Sequence, residues 1–189
     1  KPLRVTFVEM RSKIKVLRIG ITGHRKIGDV SLVRRHLREA LRLLKRRSDA
    51  PICLLTALAE GADRLAAKVV LKENGSSIEA VLPMAAEEYT KDFRRISSRK
   101  EFDALLSRAA SVHTVAPAGS RSLGYSEAGR FVAEHSALLI AVWDGKPAHG
   151  KGGTAEIVAY ARKKRQPLIW INPLSENTPA SERLSRLCR

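Results

Sequence analysis

Cysteine is nearly absent from this chain: among 189 residues there are two, Cys53 inside an apolar run and Cys188 next to the terminus. That usage excludes a disulfide framework, offers no metal-ligand spacing and points to a reducing cytoplasm. No apolar run approaches the ~20 residues of a membrane span, and no signal peptide is visible, so no membrane partner is expected. Aromatic residues make up only 5% and do not interleave with the basic ones, which argues against a stacking platform for single strands. Internal repeats and low-complexity blocks are missing too. The chain opens on a lysine and ends in a basic, polar stretch, as a fragment cut at an expression or processing boundary would.

What is present in excess is positive charge. Thirty-five Lys and Arg against nineteen Asp and Glu give a net +16, enough to raise the local concentration of polyanions and speed their encounter. Nucleic acid, acidic membranes and phosphorylated small molecules all satisfy that condition. Much of the charge lies in RRHLREALRLLKRR (34–47) and ARKKR (161–165). Both fall in predicted helices, where a solvated face explains them equally well. With 44% apolar residues the chain can bury a core, and its length suits a single domain.

Apolar periodicity divides that domain. IKVLRIGIT (14–22), PICLLTAL (51–58), IEAVLP (78–83), SVHTVAP (111–117), SALLIAVWDG (136–145) and QPLIWIN (166–172) have the dense, largely β-branched character of buried strands. Between them run helical patterns, the clearest at 30–47, where Ser31 is placed to cap the start. Six alternations predict an α/β fold: a single three-layer, Rossmann-like domain with a mainly parallel sheet of about six strands. A basic extension is expected over 1–13, the domain over 14–173 and a polar tail over 174–189.

Three loops follow strands and so share one edge of such a sheet, the edge where open α/β sheets bind ligands. In GITGHRKIGD, Gly20 and Gly23 permit tight turns, and Thr22, His24 and Arg25 offer donors to phosphate or ribose oxygens; an ordinary strand-to-helix turn is the alternative. In TALAEGADRLAA, Gly61 opens a helix whose first amides suit an anion, and Glu60 and Asp63 can accept from ribose hydroxyls or a base edge. Asp63 can equally be a first-turn carboxylate that steadies the helix. In WDGKPAHGKGGTAEIV, Asp144 and Gly145 end the fifth strand, and Gly152, Gly153 and Thr154 lead into a helix, a loop whose amides can close on a phosphate. Glu156 in its first turn can cap amides, bind ribose or act as a base. Tyr125, Ser126 and Glu127 either form part of the same ligand wall or simply start a helix. Trp143 and Trp170 are expected in the core or the pocket floor, and His113 and His135 in structural roles. His24 and His149 have no Cys, His or carboxylate at ligand spacing, so no metal and no cofactor is expected.

Taken together, GITGHR, TALAEGADRLAA and SALLIAVWDG…GKGGTAEIV resemble the SLOG superfamily, which includes DprA-like DNA-processing proteins, YpsA-like proteins and LONELY GUY phosphoribohydrolases. ALAEGAD looks like the S-G-x-A-x-G-x-D segment of DprA-like members, with Thr56-Ala57 replacing Ser-Gly. GGTAE looks like the end of the P-G-G-x-G-T-x-E-E motif of LONELY GUY enzymes. The resemblance spans about residues 15–172 and implies a Rossmann-like fold that binds a nucleotide or nucleotide-derived ligand, often as a homodimer. By the LONELY GUY pattern, Glu156 and Arg130 would serve N-glycosidic hydrolysis. The chain departs from that pattern at Ile157, which replaces the second glutamate, and in extra residues before the glycines.

Three functions therefore stand open: a nucleotide-binding sensor domain, a hydrolase releasing a base from a nucleoside monophosphate, and DNA binding of the DprA kind, which would draw on the +16 charge.

Overall fold

The computed structural model describes residues 16–115, 119–147 and 153–188. The expected basic extension (1–13) lies outside these residues, as do His149 and Gly152. Strand β1 (Leu17–Gly23) leads to helix α1 (Val30–Lys45), β2 (Ile52–Thr56), α2 (Ala62–Val70) and β3 (Ser77–Leu82). A short helix α3 (Ala86–Tyr89), a 3-10 turn (Thr90–Asp92) and α4 (Ile96–Leu106) then precede β4 (Ser111–Thr114). Next come α5 (Arg121–Glu134), β5 (Leu138–Val142), α6 (Thr154–Lys163), β6 (Leu168–Ile171), β7 (Ala180–Glu182) and a final 3-10 helix (Leu184–Cys188).

The sheet order is β4-β3-β2-β1-β5-β6-β7. Six strands pair in parallel, and β7 joins β6 antiparallel, Trp170 opposite Ala180. The sheet thus has seven strands, one more than its apolar runs predict. The seventh, ASE, is too short and polar to show in periodicity; it forms inside the segment expected as a tail. It is secured by Arg162, whose Nη2 donates to Glu182 Oε1 at 2.7 Å.

Alternation on the buried strands builds two cores. Ile52, Leu54, Leu138, Ile140 and Val142 face one side with α1, α2 and an aromatic group of Tyr89, Phe93 and Phe102. Cys53, Leu55, Leu139 and Ala141 face the other, against Ala128 and Val132 of α5 and Ile157, Val158 and Ala161 of α6. Strands covered on both faces need both sets apolar, which explains their near-continuous hydrophobicity. Helix α1 is capped by Asp29, not by Ser31: the Asp29 carboxylate accepts from the amides of Ser31 and Leu32, both at 2.9 Å. Among the described residues no helix is long and apolar enough to cross a membrane.

One packing constraint positions everything at the carboxyl edge. The turn after β1 lies directly on the start of α2, and the Ala62 amide donates to the His24 carbonyl at 3.1 Å. Gly61 there has φ +84, and a Cβ on it would sit 2.3 Å from the Arg25 carbonyl oxygen. A Cβ on Gly23 would lie 2.4 Å from that of Ala62. Gly61→Ala combines left-handed strain with a backbone clash and should lower stability by about 2 kcal/mol or more. Gly28→Ala, in open space, should stay within ~0.5 kcal/mol; equilibrium denaturation of both variants checks the contrast.

Candidate functional site

The strand order reverses between β1 and β5, and a cleft of 630 Å³ opens at their carboxyl ends, within the usual size range for small-molecule sites. The end of β1 and the turn after it contribute Thr22, Gly23, His24 and Arg25; the β2–α2 loop and the first turn of α2 contribute Ala57, Ala59 and Asp63. Pro83, Tyr89 and Asp92 come from the segment after β3, and Tyr125, Ala128, Gly129 and Val132 from α5. Trp143, Lys146 and Pro147 follow β5, and Gly153, Thr154, Ala155 and Ile157 open α6.

Nine of the residues singled out from sequence thus line one space: Thr22, Gly23, His24, Arg25, Asp63, Tyr125, Trp143, Gly153 and Thr154. Others are placed elsewhere. Gly20 lies under α5, where a Cβ would meet Ser136 and Val132. Glu60 turns to α4 and accepts from the Ser98 hydroxyl. Gly61 serves the packing described above, with the neighbouring amide of Ala62 occupied by a protein carbonyl, the position in which an anion was expected. Gly145, at φ +85, packs near Trp170. Asp144 sits outside the lining but beside it: its Oδ1 is 3.0 Å from His24 Nε2. The amide of Lys146, then His24, holds the Asp144 carboxyl below the ordinary range.

Asp63 has a local task. Its Oδ2 accepts from the Thr56 hydroxyl at 3.2 Å and the Ala57 amide at 3.1 Å, so it shapes the loop that carries it. Burial pushes its pKa up to about 6, against the opposing pull of those hydrogen bonds and of Arg25. Burial works against the charge of Arg25 as well, but Tyr89, Tyr125 and Asp92 outweigh it and raise the pKa. The guanidinium lies 5.2 Å from the centre of the Tyr125 ring and 3.7 Å from Asp92 Oδ2. It is a permanent cation facing the cleft.

Helix α6 starts at Thr154 with Gly153, which has no side chain, as its N-cap; Gly153, Thr154 and Ala155 line the cleft, so the positive end of the helix opens on the same space. Glu156 in the first turn accepts from the Ser126 hydroxyl at 2.5 Å and from Arg130 Nη2 at 3.1 Å. Glu156, Arg130 and Ser126 therefore form a group bordering the cleft but not lining it. Trp143 reaches the cleft wall, with its indole N–H donating to the Lys146 carbonyl at 2.8 Å. His113 stacks on Phe131 at 4.1 Å and takes no part in the site.

Asp92 and Tyr89 carried no signal in the sequence. They lie in the polar, helix-prone stretch 85–110, whose readable features are its apolar anchors Phe93, Ile96, Phe102, Leu105 and Leu106. Phe93 packs against Tyr89 at 5.0 Å and Phe102 at 5.2 Å between ring centres. Arg64, only 2% exposed, lies over Phe93 at 4.3 Å and donates to the carbonyls of Leu58 and Ser98. This packing fixes the wall on which Asp92 stands. Among the described residues no three His, Cys, Asp or Glu side chains cluster as a metal site.

No family model matches the sequence, and no curated protein matches it. Solved structures do. The fold is similar to that of DNA processing protein A from Helicobacter pylori, with TM-score 0.57 and 18% identity over 86% of this chain and 68% of that one. A structural-genomics target, TM1055, aligns over 80% of this chain and 72% of its own, at 13% identity and TM-score 0.49, a likeness too slight to argue from. The first shows a shared three-layer α/β fold.

The raised pKa of Asp63 gives a testable pH dependence. The folded value, about 6, stands above the ordinary 3.8, so the contribution of Asp63 to stability is full below about pH 4 and is lost as pH rises through about 6, at ~1.4 kcal/mol per unit. Asp63→Asn keeps an acceptor for the Ala57 amide and removes the titration. The stability of the variant minus that of wild type should rise between about pH 4 and 6 and level off above. Denaturant titrations across that range read the difference.

Proposed function

We propose that this chain is a SLOG-type domain whose cleft binds a nucleotide or nucleotide-derived ligand and acts as a sensor. The observation that carries the reading is that the α6 N-terminus and Arg25 line one 630 Å³ space. A helix N-terminus and a fixed guanidinium are both suited to phosphate oxygens. The hydroxyls of Thr22 and Thr154 and the ammonium of Lys146 add donors on the same lining. The apolar floor of Ile21, Ala128, Val132 and Ile157 suits the body of a ligand, as in most small-molecule sites.

Hydrolysis is a second reading, and one contact favours it: the Arg130–Glu156 ion pair at 3.1 Å, with Glu156 in the first turn of α6. There Glu156 would stabilise charge developing on the ribose or activate water. A third reading is single-stranded DNA binding, the mode described for the H. pylori protein; the net +16 supports it, as does that shared fold.

Thermal shift against AMP, ADP, NAD, ADP-ribose, cyclic dinucleotides and a short single-stranded oligonucleotide separates these readings. A ligand at a hundred times its Kd stabilises the fold by ~2.7 kcal/mol, which is readily seen. The expected result is a shift with one small nucleotide that Arg25→Ala weakens by about tenfold or more, as loss of a charged hydrogen bond would. A shift confined to the oligonucleotide and falling steeply with salt would replace the nucleotide reading by DNA binding. Turnover that Glu156→Gln abolishes, with binding retained, would establish the hydrolase.

A further inference from the structure

The cleft is rich in donors and poor in acceptors. Among the described lining residues only two are carboxylates, Asp63 and Asp92. Asp63 is 5% exposed and committed to its own loop. Asp92 keeps 16% of its side chain open and comes from the opposite wall to α6, after β3 instead of β5.

Asp92 is held in place by its neighbours. Arg121 Nη2 donates to Oδ1 at 2.5 Å, and the Tyr125 hydroxyl donates to Oδ2. Arg25 stands 3.7 Å from Oδ2, beyond hydrogen-bond length. An ionised carboxylate offers about four lone-pair sites. Two are taken, so the group remains able to accept from a ligand while its orientation is fixed. With two guanidiniums already beside it, the complement it lacks is a neutral donor, not another cation.

We propose that Asp92 is a specificity-determining residue that accepts hydrogen bonds from the nucleoside half of the ligand, either the ribose diol or an exocyclic amine of the base. The inference rests on the nucleotide reading above. It divides the cleft by charge: phosphate at α6 and Arg25, neutral hydroxyl or amine donors at Asp92. A ligand made of phosphate alone leaves Asp92 unused, and a deoxyribose strand lacks the 2′-hydroxyl it would accept.

The test is calorimetric binding of the four 5′-ribonucleoside monophosphates, their 2′-deoxy counterparts and inosine monophosphate to the wild-type chain and to Asp92→Asn, with inorganic phosphate as the probe of the anion seat. The expected result is that one deletion, the 2′-hydroxyl or the exocyclic amine, weakens wild-type binding about tenfold, as loss of a hydrogen bond to a charged group does, and that this discrimination falls to near unity in Asp92→Asn while phosphate binds both chains alike. A 2′-deoxy penalty assigns Asp92 to the ribose, and a penalty for inosine against adenosine monophosphate assigns it to the base amine. Equal wild-type affinity for all forms, or discrimination that survives in Asp92→Asn, overturns the assignment and leaves the nucleotide reading standing. Failure of every nucleotide to bind the wild type overturns both. The wild-type ligand series decides the question even if the variant folds poorly.

Discussion

The site depends on one backbone contact. The turn after β1 lies against the first residues of α2 so closely that neither Gly23 nor Gly61 has room for a Cβ. The Ala62 amide is spent on the His24 carbonyl. On the other side the His24 amide donates to the Val142 carbonyl at 3.1 Å, and its ring meets Asp144. The β1 turn is thus stitched to the start of α2 on one side and to the end of β5 on the other. Arg25, next in the chain, is left facing the gap between them. If that turn could move, the guanidinium, the Tyr125 ring beneath it and the Asp92 carboxylate would not share one geometry.

The cleft is electrostatically uneven. Its α6 side carries backbone amides and Lys146; its β3 side carries a carboxylate shared by Arg121, Tyr125 and Arg25. The buried Arg64 has no part in that chemistry. By tying Leu58 to Ser98 and lying over Phe93, it braces the β3 wall. Preorganised walls of this kind bind without a large ordering cost.

Much of this was legible before the structure. The six apolar runs correspond to the six parallel strands: five are short, dense runs largely buried in the sheet, whereas the run at 111–117 holds an edge strand, β4, that is exposed along its length. The GHR turn, Asp63 and the Gly153-Thr154 helix start all reached the cleft, because loops after parallel strands share one edge whatever their sequence. What stayed hidden depends on contacts between distant segments. Glu60 looked available beside Gly61, but its partner Ser98 lies 38 residues away. Asp29 outcompeted Ser31 as a cap because the turn places its carboxylate over two amides, a matter of backbone direction. Asp92 had no local pattern at all; only the packing of Tyr89, Phe93 and Phe102 places it.

The order of strands also governs when the site can exist. His24 and the Asp144 amide are 120 residues apart in sequence, yet they meet because β1 lies between β2 and β5. Contacts of such long range are formed late and slowly, since the loop they close must first lose its freedom. On a growing chain β1 can pair with β2 early, but its other edge stays open until β5 has been made. Until β5 has been made, β1 therefore presents an unpaired apolar strand edge. The cleft and the protection of that edge arrive together, so a chain arrested before β5 is exposed to aggregation and has no binding site.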